Sequence, residues 1–373
     1  MTFHEKTLEL NITHEILDLA DKWYWFFIDS PLWKYWTPGY RAPFTKYMKA
    51  VASGFHITTE GKNDPSGNAG GGYDVRIKAG NNSHLLFIQY KKGELVATSP
   101  SDRSIFQEAP QQHFKFKINS KSTNQHFLLR ELGNAEGGKV GNAVVYALPL
   151  IADMNELERN AGKLIRKTKF ISIKDIDNQA ESQTPPKPIK ENYEHNFRVC
   201  LSNMDRCEVN YDFFQFYGKD RAPEIIADII AIQFRKILLA FVKDIEYNIW
   251  RKQNVDLFFE YSFYRYLTFL LHYFEVDPDK LNSPFSEKIV DSFFQDEHIN
   301  YENSPRDIEI VSAIFKALNE IIDIRNNEIV IPKDVPVYKP RILFESNEEV
   351  KISITENKRE SLNILNDLSY LIV

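Results

Sequence analysis

Apolar and polar positions change their spacing along the first half of the chain, between the period of a helix and the period of two of a strand. The spacing predicts a helix over residues 14–28, with Thr13 as its N-cap, and a second helix over residues 43–53. Strands are predicted at 55–59, 74–77, 85–91, 113–118 and 143–150, and two more helices at 125–132 and 155–169. This mixed order predicts an α/β fold in which helices flank a central mixed sheet.

The second half of the chain has a different pattern. Residues 224–250 carry a wide apolar stripe at helical spacing, and residues 258–274 and 305–324 predict two further helices. A proline-containing stretch over residues 178–192 predicts a linker between the two halves. The predicted domains are an N-terminal helical, tryptophan-rich extension (1–40), an α/β domain (41–180), a linker (181–195) and a mostly α-helical, acidic domain (196–373).

Three polar side chains interrupt the apolar pattern at the ends of two neighbouring strands. Asp74 opens the strand that ends at Ile77, and Gln89 and Lys91 close the next strand. Because side chains alternate along a strand, Gln89 and Lys91 point to the same face, whereas Tyr90 points to the other. A hairpin between the two strands brings Asp74 close to Gln89 and Lys91.

Such a group is suited to bind a divalent metal and to activate water. Asp74 supplies a carboxylate, Gln89 a side-chain oxygen and Tyr90 its main-chain carbonyl, all of which Mg²⁺ accepts together with water ligands. The ammonium of Lys91 lies beside this site, where it orients the attacking water and stabilises the developing negative charge. The sequence therefore predicts a metal site at one end of the hairpin.

One carboxylate provides little negative charge for a divalent cation, so a second one is expected near Asp74. Glu60 ends the short strand just upstream and is the nearest candidate. Glu15 on the first helix is the weaker alternative. The sequence leaves the choice between these two residues open.

Charge is distributed unevenly along the chain, although the formal net charge is only −6. Residues 75–170 contain 15 basic and 8 acidic side chains, whereas residues 171–373 contain 24 basic and 35 acidic ones. The basic block follows Asp74 directly, as expected for a surface that binds a phosphate backbone. A lysine-rich solvated face is the alternative interpretation.

Composition also indicates where the protein works. The chain has no uncharged apolar run of about 18 residues, so no membrane-spanning helix is expected. Residues 1–5 do not form a basic segment followed by an apolar one, so no signal peptide is expected. The spacing of Cys200 and Cys207 fits no zinc site, and two free thiols are typical of a reducing cytoplasm.

The residues Glu60, Gly72-Tyr73-Asp74 and Gln89-Tyr90-Lys91 together resemble the metal-binding core of the PD-(D/E)XK, or restriction-endonuclease-like, nuclease superfamily. The resemblance is greatest to the branch in which glutamine replaces the acidic residue before x-Lys, as in Mrr-like nucleases. Tyr73 stands where the family motif has proline. The resemblance covers residues 41–150, whose predicted elements match the α-β-β-β-α-β core of that family, and does not cover residues 190–373.

The resemblance implies a Mg²⁺-dependent endonuclease, with Mn²⁺ as a substitute metal. In the family, the Asp and the acidic or Gln residue bind the metal, the Lys positions the attacking water, and an upstream Glu, usually on the first helix, assists. These roles correspond here to Asp74, Gln89, Lys91 and Glu60. By analogy, the expected substrate is DNA, and the expected role is prokaryotic defence against foreign DNA.

The acidic helical region is expected to bind a protein partner, to form a homo-oligomer or to restrain the nuclease, because its charge repels nucleic acid. The alternative function is a catalytically inactive subunit that keeps the nuclease fold as a scaffold for nucleic acid or protein. Lys91 argues against this alternative, since an inactive site has little reason to keep a desolvated ammonium.

Overall fold

The structure, a computed structural model, describes residues 4–28, 55–57, 73–78, 84–96, 112–119, 124–134, 143–182, 184–186, 188–200, 207–210, 219–246, 259–287, 289, 301–325 and 328–330. The α-helices in these ranges are α1 (Glu5–Ile28), α2 (Gln125–Asn134), α3 (Met154–Arg159), α4 (Ile173–Glu181), α5 (Ala222–Glu246), α6 (Arg265–Phe274) and α7 (Pro305–Asn319). The strands are β1 (Phe55–Ile57), β2 (Val75–Lys78), β3 (His84–Tyr90), β4 (Glu94–Val96), β5 (His113–Asn119), β6 (Val144–Pro149), β7 (Thr168–Ser172), β8 (His195–Cys200), β9 (Cys207–Asn210), β10 (Asp323–Arg325) and β11 (Glu328–Val330). Short 3₁₀ turns occupy Leu164–Lys167 and Pro278–Lys280, and a π-helical turn, Phe259–Tyr264, precedes α6.

A five-stranded sheet has the strand order β1-β2-β3-β6-β7. β1, β2 and β3 follow one another and pair antiparallel, so the hairpin predicted from the two apolar runs is confirmed. β3 and β6 run parallel, with Gln89 opposite Tyr146, and β7 is antiparallel to β6. A parallel pair requires a long crossover connection, and this one contains β4, β5 and α2. The prediction of a mixed α/β fold is confirmed.

Helices cover both faces of this sheet, because alternate residues of each strand are buried on opposite sides. Along β3, Leu86 and Ile88 belong to a core that includes α1, whereas Phe87 belongs to a second core with α2 and α4. β6 is buried along its whole length, as its uninterrupted apolar run predicts.

A second, four-stranded sheet has the order β4-β5-β8-β9. The predicted strand at 113–118 is confirmed as β5, and it lies in this sheet rather than beside the β2–β3 hairpin. Phe114 and Phe116 are buried in the second core, whereas Lys117 is exposed. β8 and β9 lie at the start of the region that was expected to be mostly helical. β8 pairs with β5 from the preceding region, and β9 pairs with β8.

Helix α1 begins at Glu5, so the prediction that a helix starts after an N-cap at Thr13 is wrong. The apolar pattern continues upstream, with Leu8 and Ile12 completely buried four residues apart. Thr13 is itself buried within the helix, and its hydroxyl forms a 2.9 Å hydrogen bond with the hydroxyl of Tyr90. The residue that resembled a cap therefore joins α1 to the central sheet.

The prediction of one helix over residues 155–169 is wrong beyond its first turns. α3 ends at Arg159, and Gly162 adopts a positive φ of 79°, a conformation that glycine takes without steric cost. A 3₁₀ turn follows, and Thr168 then begins β7, in which Phe170 is completely buried. Pairing with β6 thus decides the conformation of this segment, which local pattern alone does not reveal.

The helices predicted in the second half of the chain are present as α5, α6 with its π-helical turn, and α7, although α7 ends at Asn319. They share a core with α1, where the Trp23 ring centroid lies 4.5 Å from that of Phe234 on α5. Among the described helices, none is both long and apolar enough to cross a membrane. The predicted helix at 43–53 lies outside the described residues, and the division into separate domains stays a prediction.

Candidate functional site

The β2–β3 hairpin places Asp74 against the end of β3. The Asp74 amide donates to the carbonyl oxygen of Ile88 (3.0 Å), which extends the ladder by one residue. In return, Asp74 Oδ2 accepts hydrogen bonds from the Tyr90 amide (2.9 Å) and from Gln89 Nε2 (2.6 Å). The structure therefore brings together Asp74 and Gln89, as the hairpin predicted.

The side-chain amide of Gln89 lies between two oxygen atoms. Its Nε2 donates both to Asp74 Oδ2 and, over 3.0 Å, to the main-chain carbonyl of Tyr90. The oxygen and nitrogen of an amide are about 2.3 Å apart, so Gln89 Oε1 also lies within about 5 Å of the Asp74 carboxylate. Rotation of this amide by half a turn exchanges its nitrogen and oxygen. After this rotation, Gln89 Oε1 takes the position of Nε2, beside Asp74 Oδ2 and the carbonyl oxygen of Tyr90.

Lys91 points to the helix that crosses between β3 and β6. Its Nζ donates to Oε1 of Gln125, the first residue of α2, and its amide donates to the Ala147 carbonyl on β6 (3.0 Å). Both the lysine and the glutamine side chains are buried. Gln125 was missed as a site residue, because only the chain crossover brings it close to Lys91.

Two side-chain contacts with α4 hold α2 in place, and with it Gln125. His126 Nε2 lies 3.1 Å from Asp177 Oδ1, and Arg130 donates to both oxygens of the same carboxylate. Burial acts to raise the pKa of Asp177, but the hydrogen bonds from His126 and Arg130 outweigh it and lower that pKa below its usual value. The ionised Asp177 thus holds α2 in place.

The first turns of α1 add acidic side chains that the sequence did not single out. Lys6 Nζ lies 2.6 Å from Glu9 Oε2 and 3.6 Å from Asp74 Oδ1. Glu9 is buried, and its Oε1 has no hydrogen-bond partner in the described part of the chain. Glu5 Oε2 accepts a 2.9 Å hydrogen bond from the amide of Lys92. These residues were missed because the helix was predicted to start downstream of them.

The two carboxylates predicted to assist Asp74 have different outcomes. Glu60 lies outside the described residues, so its role stays a prediction. Glu15 lies on α1, but its carboxylate accepts hydrogen bonds from the Ile165 amide (2.9 Å) and from the Tyr273 hydroxyl. Burial raises the pKa of Glu15. The structure therefore directs Glu15 towards α6 and does not bring it to Asp74.

Charge near the site also acts on Tyr90, whose ring lies between the sheet and α1. Burial raises the pKa of Tyr90, and the negative charges of Glu9 and Asp74 raise it further. Its hydroxyl therefore stays neutral and keeps its hydrogen bond with Thr13. This contact holds α1, and hence Glu9, against the end of β3.

The donor set suits a hard divalent cation such as Mg²⁺. It contains the carboxylates of Asp74 and Glu9, the amide oxygen of Gln89 and the carbonyl of Tyr90, leaving further positions for water. The partnerless Oε1 of buried Glu9 is the kind of atom that a bound cation satisfies. In the described ranges there is no group of three or more His, Cys, Asp or Glu residues that could hold a metal, so amide and main-chain oxygens are needed here.

Part of the basic block is used inside the protein. Lys163, Arg166, Lys169 and Arg306 pair with Asp220, Glu275, Glu302 and Asp307, and these eight residues are named the ionic junction. All four carboxylates of the junction belong to the acidic second half. Lys163, Arg166 and Lys169 of the basic block therefore have acidic partners within the protein, and the phosphate-binding surface stays a prediction.

Comparison of the chain with family models, with curated proteins and with solved structures finds no significant match. The resemblance to a nuclease superfamily therefore stays a prediction from the motif residues.

Proposed function

We propose that this protein is a metal-dependent nuclease that hydrolyses phosphodiester bonds, with DNA as its substrate and Mg²⁺ as its metal, for which Mn²⁺ can substitute. The observation that carries this proposal is the convergence of Asp74, Gln89 and the Tyr90 carbonyl at the end of the β2–β3 hairpin. Lys91 follows them directly on the same strand end, as a water-activating group of such a site requires.

The arrangement of elements supports the same proposal. Three antiparallel strands, a helix and a strand parallel to the third strand occur in the order β1, β2, β3, α2 and β6, and the first helix of the predicted core, at 43–53, lies outside the described residues. This is the order that the restriction-endonuclease-like resemblance implies. β4 and β5 are inserted between β3 and α2, and they extend into the second sheet.

Asp74, Gln89 Oε1 and the Tyr90 carbonyl would hold the metal, and Glu9 would supply the second carboxylate from the first helix. A bound metal lowers the pKa of its water and neutralises charge on the phosphate. Glu9 is proposed in addition to Glu60, whose role stays a prediction. Gln89 must turn its amide oxygen towards Asp74 for this arrangement, which requires rotation about one side-chain bond.

Lys91 would orient the attacking water and stabilise the negative charge that develops on the phosphate. A lysine side chain is long and mobile, so it needs a partner to keep its ammonium in one place. Gln125 provides this partner as a neutral acceptor, which leaves the charge of the ammonium intact.

The acidic second half is proposed to bind a protein partner or a second copy of the chain, in a cytoplasmic defence system against foreign DNA. Its carboxylates already engage basic residues at 163–169 through the ionic junction. Nucleic acid and the acidic helices therefore compete for the same cations, which supports a role of the helices in restraining the nuclease.

Incubation of the purified protein with plasmid DNA and with RNA, in Mg²⁺, Mn²⁺ or chelator, tests the proposal. Metal-dependent cutting is expected, and Asp74→Asn and Lys91→Ala are each expected to remove it. Lys22→Ala is the matched control, because this lysine of α1 contacts Asp18 across 3.4 Å and the ring of Phe269, and neither belongs to the site. Binding of nucleic acid without cutting, unchanged in both variants, would instead favour the inactive scaffold.

A further inference from the structure

Lys6 lies on the first turn of α1 and reaches two carboxylates at once. Its Nζ is 2.6 Å from Glu9 Oε2 and 3.6 Å from Asp74 Oδ1. The side chains of Glu9 and Asp74 are each 1% exposed, whereas that of Lys6 is 45% exposed. The ammonium therefore enters from the solvent side and ends beside two buried carboxylates.

Two buried carboxylates close to one cation attract that cation strongly, because each has lost the water that stabilises its charge. Lys6 brings one positive charge to the two negative charges of Glu9 and Asp74. Glu9 Oε1 accepts no hydrogen bond in the described part of the chain. The pair thus brings two carboxylates to one ammonium, together with a buried Glu9 oxygen that a stronger cation can use.

We propose that Lys6 is a tethered cation that competes with a divalent metal for Glu9 and Asp74, and thereby sets the metal concentration at which the site fills. This inference rests on the proposed function, since it concerns the regulation of the same metal site. A metal held by Asp74 repels the ammonium, so Lys6 leaves as the metal enters. Its flexible four-carbon side chain and half-exposed position allow it to turn into solvent.

The competition also explains why a lysine occurs one turn before a buried glutamate. Without a cation, Glu9 and Asp74 would repel each other and loosen the contact of α1 with the end of β3. Lys6 keeps the two elements together until a metal replaces it. Lys6 therefore holds Glu9 and Asp74 in place before the metal binds. The same ion pairs weaken metal binding, because the metal must displace Lys6.

Titration of the full-length chain with Mn²⁺ by calorimetry, without nucleic acid, measures this competition. Lys6→Met keeps the apolar part of the side chain and removes its charge. It is expected to bind Mn²⁺ about fivefold more tightly than wild type, the ratio that corresponds to a competing ion pair of about 1 kcal/mol. Lys22→Met is the matched control on the same helix, and its affinity is expected to equal that of wild type.

Lys6→Gln provides a second variant, which keeps a polar end, and the same increase in affinity is expected. Thermal unfolding adds a readout that needs no activity: in chelator, Lys6→Met is expected to unfold at a lower temperature than wild type and to gain more from Mn²⁺. Equal or weaker Mn²⁺ binding by both Lys6 variants, with binding by wild type, overturns the role of Lys6 and leaves the metal site intact. Absence of Mn²⁺ binding by wild type and variants overturns the metal-dependent function together with this inference.

Discussion

The candidate site and the ionic junction both bring carboxylates and cations together, but they differ in how the cations are held. In the junction, Arg306 donates to the carboxylate of Asp220 and to the carbonyls of Ile165, Arg166 and Thr168. At the site, the half-exposed ammonium of Lys6 is shared by two buried carboxylates. The junction holds four basic and four acidic side chains, whereas at the site the ammonium of Lys6 contacts both Glu9 and Asp74.

This difference separates a structural contact from a functional one. A charge cluster that holds elements together gains by pairing every charge, because an unpaired buried charge destabilises the protein. A binding site must leave part of its charge for the ligand, and it accepts that loss of stability. Both clusters contain charges that are distant in sequence, so residue type alone does not distinguish them. The balance of positive and negative charge in each cluster is what distinguishes the candidate site from the ionic junction.

The largest effect on stability is expected from the junction. Replacing Arg306 by Met leaves partly buried Asp220 without its closest cation and removes the donor to three carbonyls. The free energy of unfolding is expected to fall by about 3 kcal/mol, measured by chemical denaturation. Lys219→Met, which removes an exposed partner of Glu224, is the control and should cost under about 1 kcal/mol. An equally small loss of unfolding free energy for Arg306→Met would show that pairing within the junction does not stabilise the fold.

A smaller effect, on rate rather than stability, is expected at the site. Gln125→Ala frees the Lys91 ammonium and should lower kcat about tenfold without changing the affinity for Mn²⁺. Gln125→Asn keeps a neutral amide acceptor and should recover part of the activity. The control is Gln233→Ala, which removes a buried glutamine bonded to Asp21 away from the site. If kcat falls to the same extent in Gln125→Ala and Gln233→Ala, Gln125 contributes only to packing and does not position Lys91.

The pH dependence of stability sharpens the comparison further. Burial acts to raise the pKa of Asp220, but Arg306 and Lys169 outweigh it and lower that pKa below the usual 3.8. A carboxylate with a lowered pKa in the folded state stabilises the protein above its unfolded pKa, and this contribution is lost as the pH falls through the folded value. Unfolding experiments below pH 5 should therefore show a steeper loss of stability for wild type than for Asp220→Asn. Identical slopes would contradict the pairing of Asp220.

The smallest effect is expected at the edge of the junction. Lys163 is about half exposed and pairs with Glu275. Lys163→Ala should lower the free energy of unfolding by about 0.5 kcal/mol, and the difference should shrink in high salt. A loss as large as that of Arg306→Met would mean that exposure does not weaken this pair.

The parts of the site that sequence could predict are those set by local pattern. Alternation along β3 and the turn before it were sufficient to place Gln89 beside Asp74. Glu9 and Gln125 could not be found in this way, because α1 and α2 reach the end of β3 only through tertiary packing. Glu9 was hidden further by Thr13, whose small polar side chain resembles an N-cap but forms a hydrogen bond with Tyr90 instead.

Prediction of the fold from local pattern has the same limit. Apolar periodicity predicted the hairpin and the long helices, whose patterns extend over many residues. It failed at residues 155–169, where Gly162 interrupts the helix and pairing with β6 extends the chain as β7. It also could not show that the basic residues at 163–169 face acidic partners, because those carboxylates lie at least 50 positions further along the chain. Long-range pairing decided each of these cases.

Anomalous diffraction from crystals grown with Mn²⁺ tests the central claim most directly. The account predicts one strong peak within about 2.5 Å of an Asp74 carboxylate oxygen, the Gln89 amide oxygen and the Tyr90 carbonyl. It also predicts that Lys6 has turned away from Glu9. A site that lacks the peak at saturating Mn²⁺, with Gln89 Nε2 still donating to Asp74, would contradict it.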